Sequence, residues 1–255
     1  MAKLTRASSN DDILRVLHDT ADAAYEVLST NTDWGLSGQR PTQYAVDLRV
    51  DAAALEVLHA AGFAVLSEES GRTGDWHDDA LIVVMDPLDG STNASRRVPW
   101  YATALAVVDE GGHRVSLVAN QFSNENRWTA TIGGGAFHNG ELIRPSTCER
   151  LSDAVVGVSG TPKKQPGWAQ FRAMGAAALD ICLVAQGTLD AWVDLSSHRV
   201  WDYLASMHIC AEAGAHIGEL NGRELIVTSH GERRSPIVAA TGALFDEVRQ
   251  IRERM

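Results

Sequence analysis

The run Leu81-Ile82-Val83-Val84-Met85 passes directly into Asp86-Pro87-Leu88-Asp89-Gly90-Ser91-Thr92-Asn93. Five consecutive apolar residues predict a short buried strand, with Asp86 carried at its end. Pro87 cannot donate to the sheet ladder and starts a turn, so the Asp86 and Asp89 carboxylates can converge on one point. Gly90 removes the side chain where a partner must approach the backbone. Ser91 and Thr92 then offer N–H groups and hydroxyls at the start of a helical turn, an arrangement that holds phosphate. Oxygen-only ligands beside such a cradle suit Mg²⁺, a hard cation that shares its shell with water and substrate oxygens. Taken alone, D-x-x-D-G reads first as an exposed Asx turn, because motifs this short recur by chance.

Other acids shift that balance. Glu68 and Glu69 follow the apolar run 63–66 in the same strand-then-acid layout. Asp47 lies in Ala45-Val46-Asp47-Leu48, just before a predicted helix, and Trp201-Asp202 opens another. Each reads singly as a solvated strand end or a helix cap. Together, acids at four element boundaries with apolar flanks point to one site.

Composition narrows the partners. Against 33 Asp and Glu stand 22 Lys and Arg, a net charge of −11 over 255 residues. That balance argues against a broad nucleic-acid footprint, which needs a basic surface. A small anionic substrate stays compatible, because bound cations invert the local field. With 45% apolar residues, the chain is ordinary globular material. Its length fits one large domain or two packed halves. Met1-Ala2-Lys3-Leu4-Thr5-Arg6 leads into Asn10-Asp11-Asp12 with no apolar segment typical of a secretory signal. No apolar run approaches the roughly 20 residues that span a bilayer. Cys148, Cys182 and Cys210 are odd in number and far apart, which reads as buried small hydrophobes in a reducing compartment. The expectation is a soluble cytoplasmic protein with no membrane and no nucleic-acid partner.

The remaining pattern predicts an amphipathic helix over 13–28, capped by Ser9 or Asn10, and a polar loop over 30–42. A helix over 50–61 stops at Gly62, and a hairpin pairs 101–108 with 114–120. A further strand covers 128–132. Beyond Pro145 come strands at 155–158, 191–193 and 236–240, and helices at 175–186, 201–213 and 244–254. The only seam falls near 145–153. A single domain over 1–255 is expected, with sub-domains of about 1–145 and 150–255 sharing one core. The nine histidines, His198, His208 and His216 among them, lack ligand spacing and read as surface or satisfied core residues. Arg96-Arg97 reads as a solvated basic turn, and Trp100-Tyr101 as packing against the acidic loop.

Glu68-Glu69, the segment Asp86 to Asn93, and Trp201-Asp202 resemble, in order and spacing, the signatures of the inositol monophosphatase family. The likeness runs from about residue 13 to the C-terminus. Gly133-Gly134-Gly135-Ala136-Phe137-His138-Asn139-Gly140 is similar to that family's G-x-G-A-F-x-N-G hairpin. The resemblance implies a mixed α/β fold, a layered αβαβα sandwich of the sugar-phosphatase type. It also implies hydrolysis of a small phosphate monoester with two or three Mg²⁺ ions. Carried over by position, Glu68, Asp86, the Leu88 carbonyl, Asp89 and Asp202 would be metal ligands. Asp47 and Ser91 would orient and deprotonate the attacking water, and Gly90, Ser91 and Thr92 would hold the phosphate. Ser91 replaces the more usual threonine, keeping the hydroxyl but losing the methyl that restrains its rotamer. Gly175 and Ala177, in Phe171-Arg172-Ala173-Met174-Gly175-Ala176-Ala177-Ala178, would line the alcohol pocket. Asp194 stands where many relatives bind sugar hydroxyls with a glutamate. Here the stretch to Asp202 is one residue longer than in the animal inositol enzymes, and a solvated strand-end acid is an equal reading. A homodimer and sensitivity to Li⁺ are further implications of the resemblance.

The expected substrate is a small polyol or sugar phosphate, with myo-inositol monophosphate the leading candidate. Thr92-Asn93 lies closer to the inositol and fructose-bisphosphate branch. The 3′-phosphoadenosine and histidinol-phosphate phosphatases usually carry Lys after the D-G-[ST] core. An aspartyl-phosphate mechanism of the haloacid dehalogenase type needs D-x-D and does not match. A non-catalytic regulator, as some family members are with transcription machinery, is the alternative of another class. Loss of a ligand acid would favour it, and none is lost.

Overall fold

The computed structural model describes residues 3–254, and its layering follows from strands that are apolar on both sides. Helix α1 (Asn10–Ser29) starts at Ser9, whose hydroxyl accepts from Asp12 N. It packs with α2 (Ala45–Ala60) over one face of an eight-stranded sheet. That sheet contains β1 (Ala64–Ser67), β2 (Gly71–Thr73) and β3 (Ile82–Asp89). After the short helix α3 (Ser91–Ser95) it continues with β4 (Ala102–Asp109), β5 (Gly112–Asn120), β6 (Arg127–Thr131), β7 (Gly135–His138) and β8 (Glu141–Leu142). The spatial order is β2-β1-β3-β4-β5-β6-β7-β8. Val83, Met85, Leu105, Val107 and Leu117 pack with α1 and α2. Their alternates Val84, Ala104, Ala106 and Val118 face the other way, into the central core. With both faces covered, a strand needs no polar alternation, which is why 81–85 reads as an unbroken apolar run.

The second half supplies β9 (Val155–Ser159), β10 (Gln170–Arg172), α4 (Ala177–Ala185), β11 (Ala191–Asp194), α5 (Val200–Ala213), β12 (His216–Glu219), β13 (Pro236–Ala239) and α6 (Gly242–Glu253). Its five strands run in the order β10-β9-β11-β13-β12. Helices α4 and α5 form the middle layer, and every residue of α4 is buried. Alanines 102, 104, 106, 130 and 136 share that core, and such small side chains leave room for helices to approach a sheet closely. On the far side of the second sheet, Leu244 and Val248 of α6 pack with Val156, Val193 and Ile237. The result is the layered mixed α/β sandwich expected.

Some boundaries differ from the sequence reading. Helix α2 begins at Ala45 rather than near 50, so Asp47 lies inside its first turn and not ahead of it. Helix α4 begins at Ala177 rather than 175, because Gly175 sits at φ +86°, outside the helical region. Strands β2, β10 and β12 have no counterpart in the sequence reading. They are short, and sheet pairing rather than local pattern makes them strands. His208 is a core residue, with Nδ1 2.9 Å from Ser116 Oγ and its ring stacked on His113 at 4.5 Å. Burial pushes His208 down to about 4, so it is neutral.

Glu219, at the end of β12, organises the loop that leads back to β13. It accepts from Asn221 N at 2.7 Å, Arg223 N at 3.2 Å and Ser235 N at 3.1 Å, and pairs with the Arg223 guanidinium. Burial raises its pKa, but Arg223 and these N–H groups outweigh burial and hold it at about 2. A carboxylate with a depressed folded pKa stabilises above its unfolded value, and that stability is lost as pH falls toward the folded one. Glu219→Gln is therefore expected to cost about 1–3 kcal/mol at pH 7. The gap between wild-type and variant unfolding midpoints should close as pH drops below about 4.5, which thermal melts across pH would show.

Candidate active site

Two parallel strand ends bring the first acids together. Ser67 of β1 lies opposite Met85 of β3, and Glu68 N donates to Met85 O at 3.1 Å, so Glu68, just past the end of β1, sits beside Asp86, which is still paired with Ala104 of β4. The β3–β4 register then shifts between Asp86 and Asp89. Asp86 Oδ1 accepts from Leu88 N at 3.0 Å, and Thr103 Oγ1 donates to Pro87 O at 2.9 Å, which closes the turn. Gly90 takes φ +83°, and a Cβ there would lie 3.1 Å from both Trp100 O and Ala176 Cβ. Conformation and contact both demand glycine at this position.

The same loop is stitched to the second half of the chain. Asn93 Nδ2 donates to Trp100 O and to Met174 O, each at 2.8 Å. Asp89 Oδ2 accepts from Ala178 N at 2.7 Å, in the first turn of α4. Trp100 Nε1 donates to Asp180 Oδ1 at 2.7 Å, so its side chain is tied to α4 and only its carbonyl, which accepts from Asn93, meets the acidic loop. His230 Nε2 lies 3.2 Å from Glu68 O, with its ring 4.7 Å from that of Trp201.

Asp47 and Asp202 occupy equivalent places, the third residue of α2 and of α5. Each gives one oxygen to the backbone N–H that precedes its helix, Tyr44 N and Arg199 N, at 2.8 Å in both cases. This bond fixes the carboxylate and leaves its other oxygen for the site. Asp47 Oδ1 is buried and has no hydrogen-bond partner. It belongs to a recess of about 140 Å³ lined by Asp47, Glu68, Leu88 and Ser91, with Arg40 and Glu69 at its edge. A second cavity of about 280 Å³ is lined by Asp89, Asp202, Gly175, Ala177, Ser159 and His198, among others. Thr92 is exposed, one residue into α3.

Electrostatics mark the acids as one unit. Burial, then the charges of its acidic neighbours, pushes each of Glu68, Asp86 and Asp89 well above the usual carboxylate range. Burial raises Asp202 too, against the pull of His198, Arg199 and Arg233. Asp47 is pushed up to about 7 by burial and by the Glu69 charge, against Tyr44 N–H and Arg40. Among the described residues, no three His, Cys, Asp or Glu side chains are gathered into a ready-made cage for an ion. The donor set still fits a hard divalent cation. It is made of oxygens alone, it repels itself, and Asp47 presents a buried oxygen with nothing to bind.

Asp194 corrects one expectation. It is fully buried, and Oδ1 accepts from Ser196 N at 2.7 Å and Ser196 Oγ at 3.1 Å, so it is neither a solvated acid nor part of the cavity wall. Its place at the cavity is taken by His198, whose Nδ1 lies 3.1 Å from Asp194 Oδ1. Burial pulls the imidazole pKa down, but Asp194, Asp202 and Asp89 more than offset it and hold it above the ordinary value. The sequence reading placed His198 among the scattered histidines and did not single out Asp180, which also lines the cavity. No motif marks either residue; the sheet register and the packing of α4 bring them to the site.

Comparison with known proteins agrees with this architecture. The sequence pattern of the inositol monophosphatase family matches residues 9–254. The chain is 32% identical over 194 residues to the Nus factor SuhB of Escherichia coli, covering 69% of this chain and 71% of that one. It is 33% identical over 204 residues to a fructose-1,6-bisphosphatase/inositol-1-monophosphatase of Thermococcus kodakarensis, covering 78% and 77%. The Thermotoga maritima IMPase structure superposes with a TM-score of 0.82 at 21% identity, over 95% of this chain and 97% of that one, a likeness of fold. The same fold and a family match over nearly its whole length show that this chain belongs to the inositol monophosphatase family.

Proposed function

We propose that the protein is a Mg²⁺-dependent phosphatase that hydrolyses a small polyol or sugar phosphate monoester, with myo-inositol monophosphate the first candidate. The observation that carries this reading is the convergence of Glu68, Asp86, Asp89 and Asp202, buried or half-buried acids all held above the usual carboxylate range beside two cavities. These acids and the Leu88 carbonyl are the ligands. When bound, the cation neutralises phosphoryl charge and acidifies water in the site. Asp47 and Ser91 hold the attacking water and take its proton, Asp47 through the oxygen that Tyr44 N leaves free. Gly90 lets the chain turn so that the N–H groups of Ser91 and Thr92, which have no partner inside α3, face the phosphate. Gly175 and Ala177 line the space for the alcohol. Little covalent help is needed, because positioning and electrostatics supply most of the rate in phosphoryl transfer.

Phosphate release should be followed with Mg²⁺ and with EDTA. The panel is inositol 1-phosphate, fructose 1,6-bisphosphate, histidinol phosphate, 3′-phosphoadenosine 5′-phosphate and glycerol 2-phosphate. The expected result is Mg²⁺-dependent release, fastest from inositol 1-phosphate and lost in EDTA. Release that is unaffected by EDTA, or none from any compound, would sink the reading. Kinship with the family also supports Li⁺ inhibition at the same carboxylates, and a homodimer.

The relatives named Nus factor favour a second reading, in which the folded chain serves as a binding partner. They run against the expectation, drawn from net charge, that nucleic-acid machinery is not involved. On this reading no turnover is needed, and the role should survive loss of an acid from the cluster.

A further inference from the structure

We propose that Thr103, aligned by Gln121, is a positioning residue that sets the geometry of the acidic loop and with it the affinity of the site for a divalent cation. This rests on the phosphatase reading above, in which Asp86 and the Leu88 carbonyl are ligands. It adds two residues that touch neither cation nor substrate.

The sheet register creates the need. Asp86 pairs with Ala104 and Asp89 with Ala102, so Thr103 of β4 stands opposite two residues of β3, Pro87 and Leu88. Such a bulge takes the extra residue out of the ladder and re-aims the side chains around it. The peptide unit between Pro87 and Leu88 is held from both edges. Its N–H, on Leu88, donates to Asp86 Oδ1 at 3.0 Å, and its carbonyl, on Pro87, accepts from Thr103 Oγ1 at 2.9 Å. A peptide unit is one rigid plane, so bonds on opposite edges fix its tilt. The first of these bonds also holds one oxygen of the Asp86 carboxylate. The tilt of a single plane therefore orients Asp86 and sets where Leu88 begins.

The Thr103 hydroxyl is itself aimed. Gln121, just past β5, sends its two amide protons to Ala21 O of α1 at 3.1 Å and to Thr103 Oγ1 at 2.8 Å. Ala21 O can only accept, which fixes the nitrogen end of the amide. Thr103 Oγ1 accepts from that nitrogen and has one proton of its own, which goes to Pro87 O. Gln121 N donates to Tyr101 O at 2.8 Å and anchors the residue just ahead of β4. Thr103 and Gln121 are both buried, and Gln121 Oε1 has no partner. An orphaned oxygen in the core is a cost that an apolar pair of the same shape would avoid. Packing does not call for it; aiming the hydroxyl does.

The probe is Mn²⁺, which takes the same shell of oxygens as Mg²⁺. Its binding to metal-free protein, with no substrate present, is followed by loss of the free ion's EPR signal. Thr103→Val keeps the shape and removes the hydroxyl. It should weaken Mn²⁺ binding about 10–100-fold, the usual effect of losing a group that orients a metal ligand. Thr103→Ser restores the hydroxyl and should bring affinity back to within about threefold of wild type. Gln121→Met should weaken binding in the same direction, which covers a Thr103 variant that folds poorly. Val107→Ala, further along β4 in the core under α1 and α2, controls for instability: it should melt lower and bind Mn²⁺ as wild type does. Asp89→Asn measures binding outside the site. If Thr103→Val and Gln121→Met melt lower yet bind Mn²⁺ within about threefold of wild type, the role is structural, the proposal falls and the phosphatase reading stands. Wild type that binds Mn²⁺ no better than Asp89→Asn would overturn both.

Discussion

Asp89→Asn should lower phosphate release by at least about 10²–10³-fold, the scale of losing one preorganised electrostatic group. The substitution keeps the shape and an acceptor oxygen for Ala178 N, which Asp89 Oδ2 now binds at 2.7 Å. Folding should survive. Asp89 is one of several buried acids that repel one another, so in metal-free buffer the variant should melt at the same temperature as wild type or higher. Added Mg²⁺ should raise the wild-type midpoint and leave the variant's nearly unmoved, because a ligand stabilises only the state that binds it. Near-normal turnover with an unchanged Mg²⁺ response would remove Asp89 from the metal site. The same variant separates the two functional readings. A binding role of the Nus-factor kind needs no turnover and should survive Asp89→Asn, whereas a role that depends on hydrolysis should not.

Asp47→Asn is expected to lower kcat by about 10²–10⁴-fold, the usual worth of a positioned general base. KM should change little, because the side chain acts on water rather than on the alcohol. The amide oxygen can still accept from Tyr44 N, so the start of α2 should hold and circular dichroism should be unchanged. What is lost is the basic oxygen. With its pKa pushed up to about 7, the Asp47 carboxylate has the proton affinity that a base working near neutral pH requires. Steady-state kinetics on both forms would decide the role: a loss confined to KM would assign Asp47 to substrate binding instead.

The contrast between Asp86–Asn93 and His198 shows what is legible in one dimension. The acidic loop announces itself because its requirements are local. An apolar strand must end, a proline must stop pairing, and a glycine must take φ +83° against Trp100 and Ala176. Each demand selects a residue type at a fixed offset, so the pattern survives in the chain as a motif. Helix α1 and strands β3 to β6 were legible for a similar reason, since their apolar spacing or continuity reports which faces are covered. Asp47 was legible as an acid at a boundary but misplaced relative to its helix, because a first-turn carboxylate and a residue just ahead of the turn leave similar patterns.

Asp194 and His198 had no such signature. A strand-end aspartate followed four residues later by histidine can face solvent, substrate or core, and nothing local selects among these. Pairing of β11 with β9 and β13 buries Asp194 completely, and the return of the chain along Arg234 puts the imidazole where the acid had been expected. Asp180 is similar: it falls in a helix buried all round, and its meeting with Trp100 depends on how α4 seats beside the acidic loop. Family, layering and the acidic centre were therefore readable from residue order, because backbone sterics and burial act over a few positions. Which side chains line the second cavity was settled by contacts between residues far apart in the chain, such as Asp89 with Ala178 N, which exist only once the second half has packed against the acidic loop.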